Sequence, residues 1–279
     1  MTISVVTAAL PSRDSVILGA YESLRAQVLP SGWDWEWVVQ EDGVDDSLAS
    51  VMPDDPRVRY GWNGVEGGPA ITRNLGLTRA MGSLVRVLDD DDRLMPNALG
   101  RDIAILESDH SLGWMCSRAV DVRADGALDH FPDLLPEGRV ESGALLEAWR
   151  SLGGTLPVVP GTVTVRTEIL RAVGGWMGLP ASEDVGMLMT VASLYAGYYS
   201  SEASLYRVCS ETQTTAQEWA KSEHNRALRL AAVEQRVAAV TELLSARTAA
   251  GSPGAASLPG AGPRGGDGMN SAPPLLSRG

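Results

Sequence analysis

Short apolar runs alternate with amphipathic stretches through the first hundred residues. Four runs have the length of buried strands, at 3–8, 35–40, 58–60 and 84–88. Helical patterns lie between or after them, at 15–27, at 69–81 and from Pro96 onward. Strand–helix alternation with short connections predicts a parallel α/β sheet covered by helices. Such sheets bind ligands at the carboxyl ends of their strands.

The second half has a less regular pattern, above all at 118–157, where only a helix near 141–150 is predicted. An apolar run at 158–165 precedes a helix at 167–173, which Gly174 and Gly175 break. Ser182 is a candidate N-cap for a helix at 184–196. A capping box at 215–218 predicts a last helix that runs to about Thr248.

The apolar positions of that last helix follow a coiled-coil-like spacing, at Leu230, Val233, Val237, Val240 and Leu244. This seam fits packing on the domain, and it also fits a homodimer, so both interpretations stay open. Beyond it, residues 249–279 are dominated by Gly, Pro, Ala and Ser and lack aromatic residues, which predicts a disordered tail. The expected organisation is one domain over 1–215, a C-terminal helix over 216–248 and the tail over 249–279.

The charge balance excludes several partner classes. The formal net charge is −12 over 279 residues, and Lys221 is the only lysine, so a basic nucleic-acid surface is not expected. The two cysteines, Cys116 and Cys209, form no CxxC pair and no disulfide framework. The N-terminus lacks the basic region of a secretory signal, and no apolar run approaches the roughly 20 residues that span a bilayer. We therefore expect a soluble, cytoplasmic protein.

Four adjacent aspartates, 89 to 92, follow the apolar run at 84–88. Adjacent carboxylates repel one another unless a cation compensates, and oxygen ligands suit Mg²⁺ or Mn²⁺ shared with substrate phosphates. An extended backbone would place Asp89 and Asp91 on one side. The alternative is a solvated acidic turn. A phosphatase of the haloacid-dehalogenase type also uses Asp-x-Asp, but Arg93 stands where that pattern needs a small residue.

Six segments in order resemble family 2 glycosyltransferases with the GT-A fold, over about residues 2–215. They are SVVTAALPSR at 4–13, SLRAQ with WEWVVQEDGVDD up to residue 46, GGPA with TRNLGL at 67–77, VLDDDDRLMP at 87–96, GGW at 174–176 with SEDV at 182–185, and YR at 206–207. A sugar-phosphate nucleotidyltransferase would need a glycine-rich, lysine-bearing loop near the N-terminus, and this chain has none there.

The resemblance implies a mostly parallel, Rossmann-like central sheet flanked by helices, with a long C-terminal helix. It also implies a metal-dependent, inverting transfer of a sugar from a nucleotide diphosphate, most often UDP, to an acceptor. The missing membrane segment favours a soluble acceptor, such as a small metabolite or a peptide side chain. The alternative is a non-catalytic protein of the same fold that binds nucleotide sugars or a partner.

The resemblance further assigns the nucleotide side of the site, at Ala8, Pro11, Asp42, Arg73, Asp89 and Asp90. Asp42 would accept a hydrogen bond from the uracil imide, and its alternative role is a turn acid at a strand end. Arg73 would lie near the nucleotide phosphates, and its alternative is a helix-surface arginine. Asp89 and Asp91 would hold Mg²⁺ or Mn²⁺, which would stabilise the departing diphosphate. Asp92 would support the site or face solvent.

On the acceptor side, the resemblance assigns Asp184 as the general base, with Glu183 as the alternative base. The base would take a proton from the acceptor as it attacks the anomeric carbon. Trp176 and Gly175 would form the acceptor wall, although Trp176 would also serve as an ordinary packed indole. The family often carries a histidine two residues after the Tyr-Arg pair. Cys209 occupies that position here and is a poor ligand for a hard cation.

Overall fold

A computed structural model describes residues 1–130, 132–209 and 218–249. Its strands are β1 (Thr2–Ala9), β2 (Asp34–Glu41), β3 (Val58–Trp62), β4 (Leu84–Val87), β5 (Arg93–Leu94), β6 (Leu112–Val122), β7 (Leu128–His130), β8 (Gly138–Val140), β9 (Thr164–Arg166) and β10 (Ala196–Val208). Its helices are α1 (Asp14–Arg25), α2 (Gly68–Arg79), α3 (Ala98–Ser108), α4 (Ala144–Ser151), α5 (Thr167–Ala172), α6 (Glu183–Leu194), α7 (Glu218–Lys221) and α8 (Glu223–Ala249). The start of the predicted capping box, and all but the first residue of the predicted tail, lie outside the described residues.

The strands form one mixed sheet in the order β3-β2-β1-β4-β9-β6-β10-β5. The first four strands in that order pair in parallel, as the strand–helix alternation predicts. β9 is antiparallel to both β4 and β6, while β6 and β10 run parallel. The carboxyl ends of β1, β2 and β4 therefore meet at one edge, and the loops that follow them carry Leu10, Asp42 and Asp89.

The two longest strands, β6 with 11 residues and β10 with 13, lie side by side in the half that the sequence pattern did not resolve. Their pairing is irregular, with register shifts near Ala196, Ser200 and Ala203. Both strands bury polar residues, such as Ser117 and Ser204, whose hydroxyl groups hydrogen-bond to each other. Buried hydroxyls and register shifts remove the apolar periodicity that identifies a strand in a sequence.

Both faces of the sheet are covered, which explains the uninterrupted apolar runs of its first strands. Val5 and Trp37 pack on one face, in a cluster that includes residues of α1 and α3. Val6 and Val38 pack on the other face, in a cluster that includes residues of α2, α4, α5 and α6.

The C-terminal helix adds two of its seam positions to that second cluster. Val233 is 0% exposed and Val237 is 3% exposed, and Leu230 packs against the same cluster. These three seam positions therefore pack against the core of the same chain. The sequence predicted one continuous helix, but the structure has a break. α7 ends at Lys221 and α8 begins at Glu223, and the carbonyl of Ser222 accepts a hydrogen bond from the amide of Arg226.

One compact unit covers Met1–Glu242, and a second covers Leu243–Gly279, of which only the end of α8 is described. Within the described residues, no helix combines the length and the apolarity needed to cross a membrane.

Candidate active site

A cavity of about 630 Å³ opens at the carboxyl edge of the parallel strands. Eight of the predicted site residues line it, namely Ala8, Asp42, Arg73, Asp89, Asp90, Asp91, Glu183 and Asp184. The other three predicted positions, Pro11, Gly175 and Trp176, are not among its lining residues. The structure thus brings together the acids after β4 and the acids at the start of α6.

Arg73 connects these two groups of acids. From α2, its Nη2 lies 2.8 Å from Asp89 Oδ1, and its Nη1 lies 2.7 Å from Glu183 Oε1 and 3.2 Å from Asp184 Oδ1. Its side chain is only 6% exposed, which rules out a helix-surface arginine. Burial lowers the pKa of Arg73, but attraction to the three carboxylates outweighs burial and raises the pKa overall. Arg73 is therefore a fixed cation shared between Asp89 after β4 and the two acids at the start of α6.

Asp184 differs from Glu183 in its access to the cavity. Its side chain is 20% exposed, against 8% for Glu183. Burial raises the pKa of Asp184 to about 7, with Arg73 lowering it and the charges of Glu183 and Asp89 adding to the rise. A carboxylate whose pKa lies near neutrality can both accept and release a proton under ordinary conditions.

The residue before these acids has an unusual backbone conformation. Ser182 has a φ of +67°, one of two positive values for residues other than glycine in the described part of the chain. It occupies the N-cap position of α6, as predicted, but its side chain forms no capping hydrogen bond with the helix. Its hydroxyl instead accepts a hydrogen bond of 3.3 Å from Arg229 Nε of α8, and Arg229 also lines the cavity.

The four aspartates after β4 point to different partners. Asp90 accepts the amide of Leu10, and Asp91 lies 3.0 Å from Arg13 Nη1. Asp92 accepts the amide of Val208 at the end of β10. Burial raises the pKa of Asp90 to about 7 and raises the pKa values of Asp91 and Asp92. Crowded, partly desolvated carboxylates of this kind need additional positive charge to be fully ionised.

This acid cluster fits a hard divalent cation with few protein ligands. The described residues contain no group of three or more histidine, cysteine, aspartate or glutamate side chains arranged around one ion. Asp89 and Asp91 offer only oxygen atoms, which Mg²⁺ and Mn²⁺ prefer, and Mg²⁺ usually keeps waters and substrate phosphates in its remaining positions. In this structure Arg13 partly neutralises the charge of Asp91, and Arg73 partly neutralises the charge of Asp89.

Asp42 has an intramolecular role as well as a place in the cavity wall. It accepts the amides of Gly67 and Gly68, at 2.6 and 2.9 Å, and the side-chain amide of Asn63 at 3.0 Å. These bonds satisfy donors at the start of α2, where orphan amides need partners. Asp42 therefore has the predicted alternative role of an acid at a strand end, and it also lines the cavity.

Gly175 and Trp176 are not among the cavity-lining residues, and both are held by contacts to Asn74. The side-chain amide of Asn74 donates to the carbonyl of Trp176, and its oxygen accepts the Trp176 amide. Gly175 has a φ of +65°, and a Cβ there would lie 2.1 Å from Asn74 Oδ1. The Trp176 side chain is 2% exposed, and it lies close enough to Asp184 to lower the pKa of that carboxyl. The indole therefore packs in the core and also adjoins the candidate base.

Cys209 contributes nothing to the cavity lining. Burial and the neighbouring Asp121 raise the pKa of its thiol, which keeps it protonated. Its neighbour Arg207 does line the cavity and forms a two-point ion pair with Asp121, at 2.8 and 2.6 Å.

The lining residues that were not predicted include four large polar side chains, namely Arg13, Arg118, Tyr199 and Arg229. Arg13 closes the quoted segment SVVTAALPSR, so its position beside the first strand end was a usable signal. Arg118, Tyr199 and Arg229 lie on elements whose placement the sequence pattern does not reveal.

Comparison with known proteins agrees with this geometry. The sequence model described as "Glycosyl transferase family 2" matches residues 4–173, more than half of the chain. The chain belongs to glycosyl transferase family 2. The family 2 match ends before α6 and α8, so it includes neither Asp184 nor Arg229.

Curated relatives of this family 2 chain cover parts of it. The succinoglycan biosynthesis protein ExoO of Rhizobium meliloti is 29% identical over 167 residues, 56% of this chain and 47% of that protein. The GalNAc(5)-diNAcBac-PP-undecaprenol beta-1,3-glucosyltransferase of Campylobacter jejuni is 39% identical over 71 residues, 24% of this chain and 23% of that enzyme. The chain thus spans less than half the length of these relatives.

Solved structures share the fold of this family 2 chain. S. aureus TarS 1-349 in complex with UDP-GlcNAc aligns with a TM-score of 0.61 and 22% identity, over 78% of this chain and 61% of that one. The same protein in complex with UDP gives a TM-score of 0.60 and 23% identity, over 76% and 61%. The predicted GT-A fold and α/β class are confirmed, with antiparallel pairs added in the second half of the sheet.

Proposed function

We propose that this chain transfers a sugar from a nucleotide diphosphate, with UDP as the expected nucleotide, to the nucleophile of a soluble acceptor with inversion at the anomeric carbon. The observation that carries the proposal is the junction at Arg73, which holds Asp89 and Asp184 on either side of one guanidinium within a single cavity. The UDP and UDP-GlcNAc complexes of the structurally similar TarS support a uridine nucleotide as the donor.

On the donor side, Asp42 and the loop after β1 are suited to the nucleotide. Asp42 has an accepting lone pair for a base N–H, and Ala8 is small enough to let a ring approach the strand end. Asp89 and Asp91 would hold Mg²⁺ or Mn²⁺. The ion, when bound, neutralises charge on the departing diphosphate. Arg13 and Arg207 bring further positive charge to the cavity lining.

On the acceptor side, Asp184 is suited to act as the base. Arg73 fixes one of its oxygens, and its exposed fraction faces the cavity. Deprotonation of the acceptor by Asp184 would accompany attack on the anomeric carbon, and the bond to the diphosphate would break on the opposite side. One displacement of this kind inverts the configuration and needs no covalent intermediate.

The test is a thermal-shift and hydrolysis panel of UDP, GDP, CDP and ADP sugars with Mn²⁺ and with EDTA. We expect stabilisation by one nucleotide, strongest with Mn²⁺, and slow release of the free sugar from the matching donor. No stabilisation by any nucleotide would overturn the proposal. Binding with neither hydrolysis nor transfer to any acceptor would favour the non-catalytic alternative.

A further inference from the structure

One wall of the cavity carries none of the acidic residues and is largely apolar. We call it the β6 wall, and it consists of residues 117–119, 132, 134, 155–161 and 199. Its lining includes prolines, leucines and valines, and Arg118 is its one charged lining residue among those the structure describes. All the cavity-lining acids lie elsewhere, after β2, after β4 and at the start of α6.

Arg118 is poorly satisfied by the protein itself. Its Nε is buried without a hydrogen-bond partner among the described residues. Its ion pair with Asp133 is long, at 3.5 Å from Nη1 to Oδ2. The side chain is 26% exposed and lines the cavity. Partly desolvated cations without close partners are costly, and an external anion would remove that cost.

We propose that Arg118 binds an oxyanion, a carboxylate or a phosphate, carried by one of the two substrates beyond the nucleotide diphosphate. The planar guanidinium matches both groups and binds them through two parallel hydrogen bonds. The apolar remainder of the β6 wall would exclude water from this contact and strengthen it. The anion is carried either by the transferred sugar, as in a uronic acid, or by the acceptor. This inference rests on the proposed function and specifies its substrate class.

A purely structural role for Arg118 is the competing explanation. Asp133 accepts a hydrogen bond from Tyr199 and faces Arg118, so the trio would simply hold the loop after β7. The two explanations differ for one variant. Asp133→Asn and Arg118→Gln both break the ion pair, but only Arg118→Gln removes the proposed anion site.

The experiment measures affinities by calorimetry on the full chain with Mn²⁺. A donor arm compares UDP-glucuronic acid with UDP-glucose. An acceptor arm compares glucose 6-phosphate and glucuronate with glucose, with and without saturating UDP. We expect the charged ligand to bind about tenfold or more tightly than its neutral counterpart in one arm, which also identifies the substrate that carries the anion.

Arg118→Gln should abolish that preference without changing affinity for UDP, whereas Asp133→Asn should keep it. The exposed Arg123→Gln, whose partner Asp129 lies outside the cavity lining, serves as the control. If Arg118→Gln does not fold, Arg118→Lys keeps a charge and should retain a reduced preference. Equal binding of charged and neutral ligands in both arms, or equal effects of Arg118→Gln and Asp133→Asn, would overturn the inference. If the wild type binds none of the nucleotides of the thermal-shift panel, the proposed function is refuted instead.

Discussion

Arg229 donates a hydrogen bond from Nε to the hydroxyl of Ser182, over 3.3 Å. Ser182 has a φ of +67° and immediately precedes Glu183 and Asp184. Arg229 belongs to α8, which lies beyond the segment that the family model matches. A side chain from the C-terminal helix thus touches the residue that leads into the candidate base.

Arg229→Gln tests this contact. Loss of one hydrogen bond to the strained residue should lower kcat by roughly five- to tenfold, since such a bond contributes about 1 kcal/mol. UDP affinity should stay within twofold because the donor acids are untouched. Steady-state kinetics and calorimetry measure both quantities. The control is Glu234→Gln, on the same helix as Arg229, which breaks only the exposed ion pair between Glu234 and Arg150 of α4. An unchanged kcat in Arg229→Gln would contradict a positioning role.

Asp184→Asn should lower the transfer rate by about 10²–10⁴, the usual contribution of a general base. Nucleotide binding should persist. Glu183→Gln should cost less, because Glu183 is less exposed than Asp184 and Arg73 holds its carboxylate at 2.7 Å. Transfer rates and UDP binding measured on both variants separate the two acids. Exposed Glu168→Gln is the matched control. If Glu183→Gln is the more damaging change, Glu183 is the base.

The pH dependence of kcat/KM should report Asp184 in the free protein. Burial raises its pKa to about 7, so the ionised base is lost below neutrality, and kcat/KM should fall tenfold per pH unit there and level off above. The charge of Arg73 lowers that pKa, so Arg73→Gln should move the acid limb to higher pH. A limb that stays in place in Arg73→Gln would disprove the assignment.

The raised pKa of Asp184 also makes the free energy of unfolding depend on pH, in the direction opposite to that of activity. Its folded pKa lies above the ordinary 3.8, so the folded protein retains a proton that the unfolded chain releases between about pH 4 and 7. The contribution of Asp184 to stability therefore decreases as the pH rises through this window. Asp184→Asn should flatten that part of the pH profile of the free energy of unfolding.

Asp91→Asn should remove the additional stabilisation that Mn²⁺ gives to the UDP complex, because an amide oxygen carries no charge for the ion. Thermal shifts with UDP plus Mn²⁺, and with UDP plus EDTA, measure the difference. The exposed Asp45→Asn should leave it intact. Equal Mn²⁺ effects in wild type and Asp91→Asn would exclude Asp91 as a ligand.

Val233→Ala should lower the free energy of unfolding by about 2 kcal/mol, through lost burial and a residual cavity. Leu228→Ala on the same helix should have little effect, because Leu228 is 58% exposed. Denaturant titrations at several protein concentrations measure both and also test the homodimer. A dimer held by this helix would make the midpoint depend on concentration.

Local patterns predicted the parallel half of the fold and the donor acids. Buried strands such as β1 and the acids that follow β4 are contiguous in sequence, so a single segment contains the whole signal. The partners of Arg73 are different in kind. Glu183 is 110 residues away along the chain, and only the assembled sheet places it beside α2. The resemblance to the family named both residues without indicating that they touch.

The second half of the sheet was unpredictable for a physical reason. Two polar residues interrupt the apolar pattern of β6. Arg118 lines the cavity, and the buried hydroxyl of Ser117 donates a hydrogen bond to the hydroxyl of Ser204. Such positions break the apolar alternation by which strands are recognised. Trp176 shows a different difficulty, because the sequence does not tell whether an aromatic residue before predicted acids packs in the core or lines a binding wall. In the structure it is 2% exposed and also adjoins Asp184.

The burial of Val233 and Val237 has a consequence for biosynthesis. These side chains complete a cluster whose other members, from Val6 to Tyr199, are all translated earlier. A nascent chain that has emerged only as far as β10 therefore has an unfilled groove and lacks Arg229. Native packing of this cluster and the full set of cavity-lining residues can therefore form only after α8 has been synthesised.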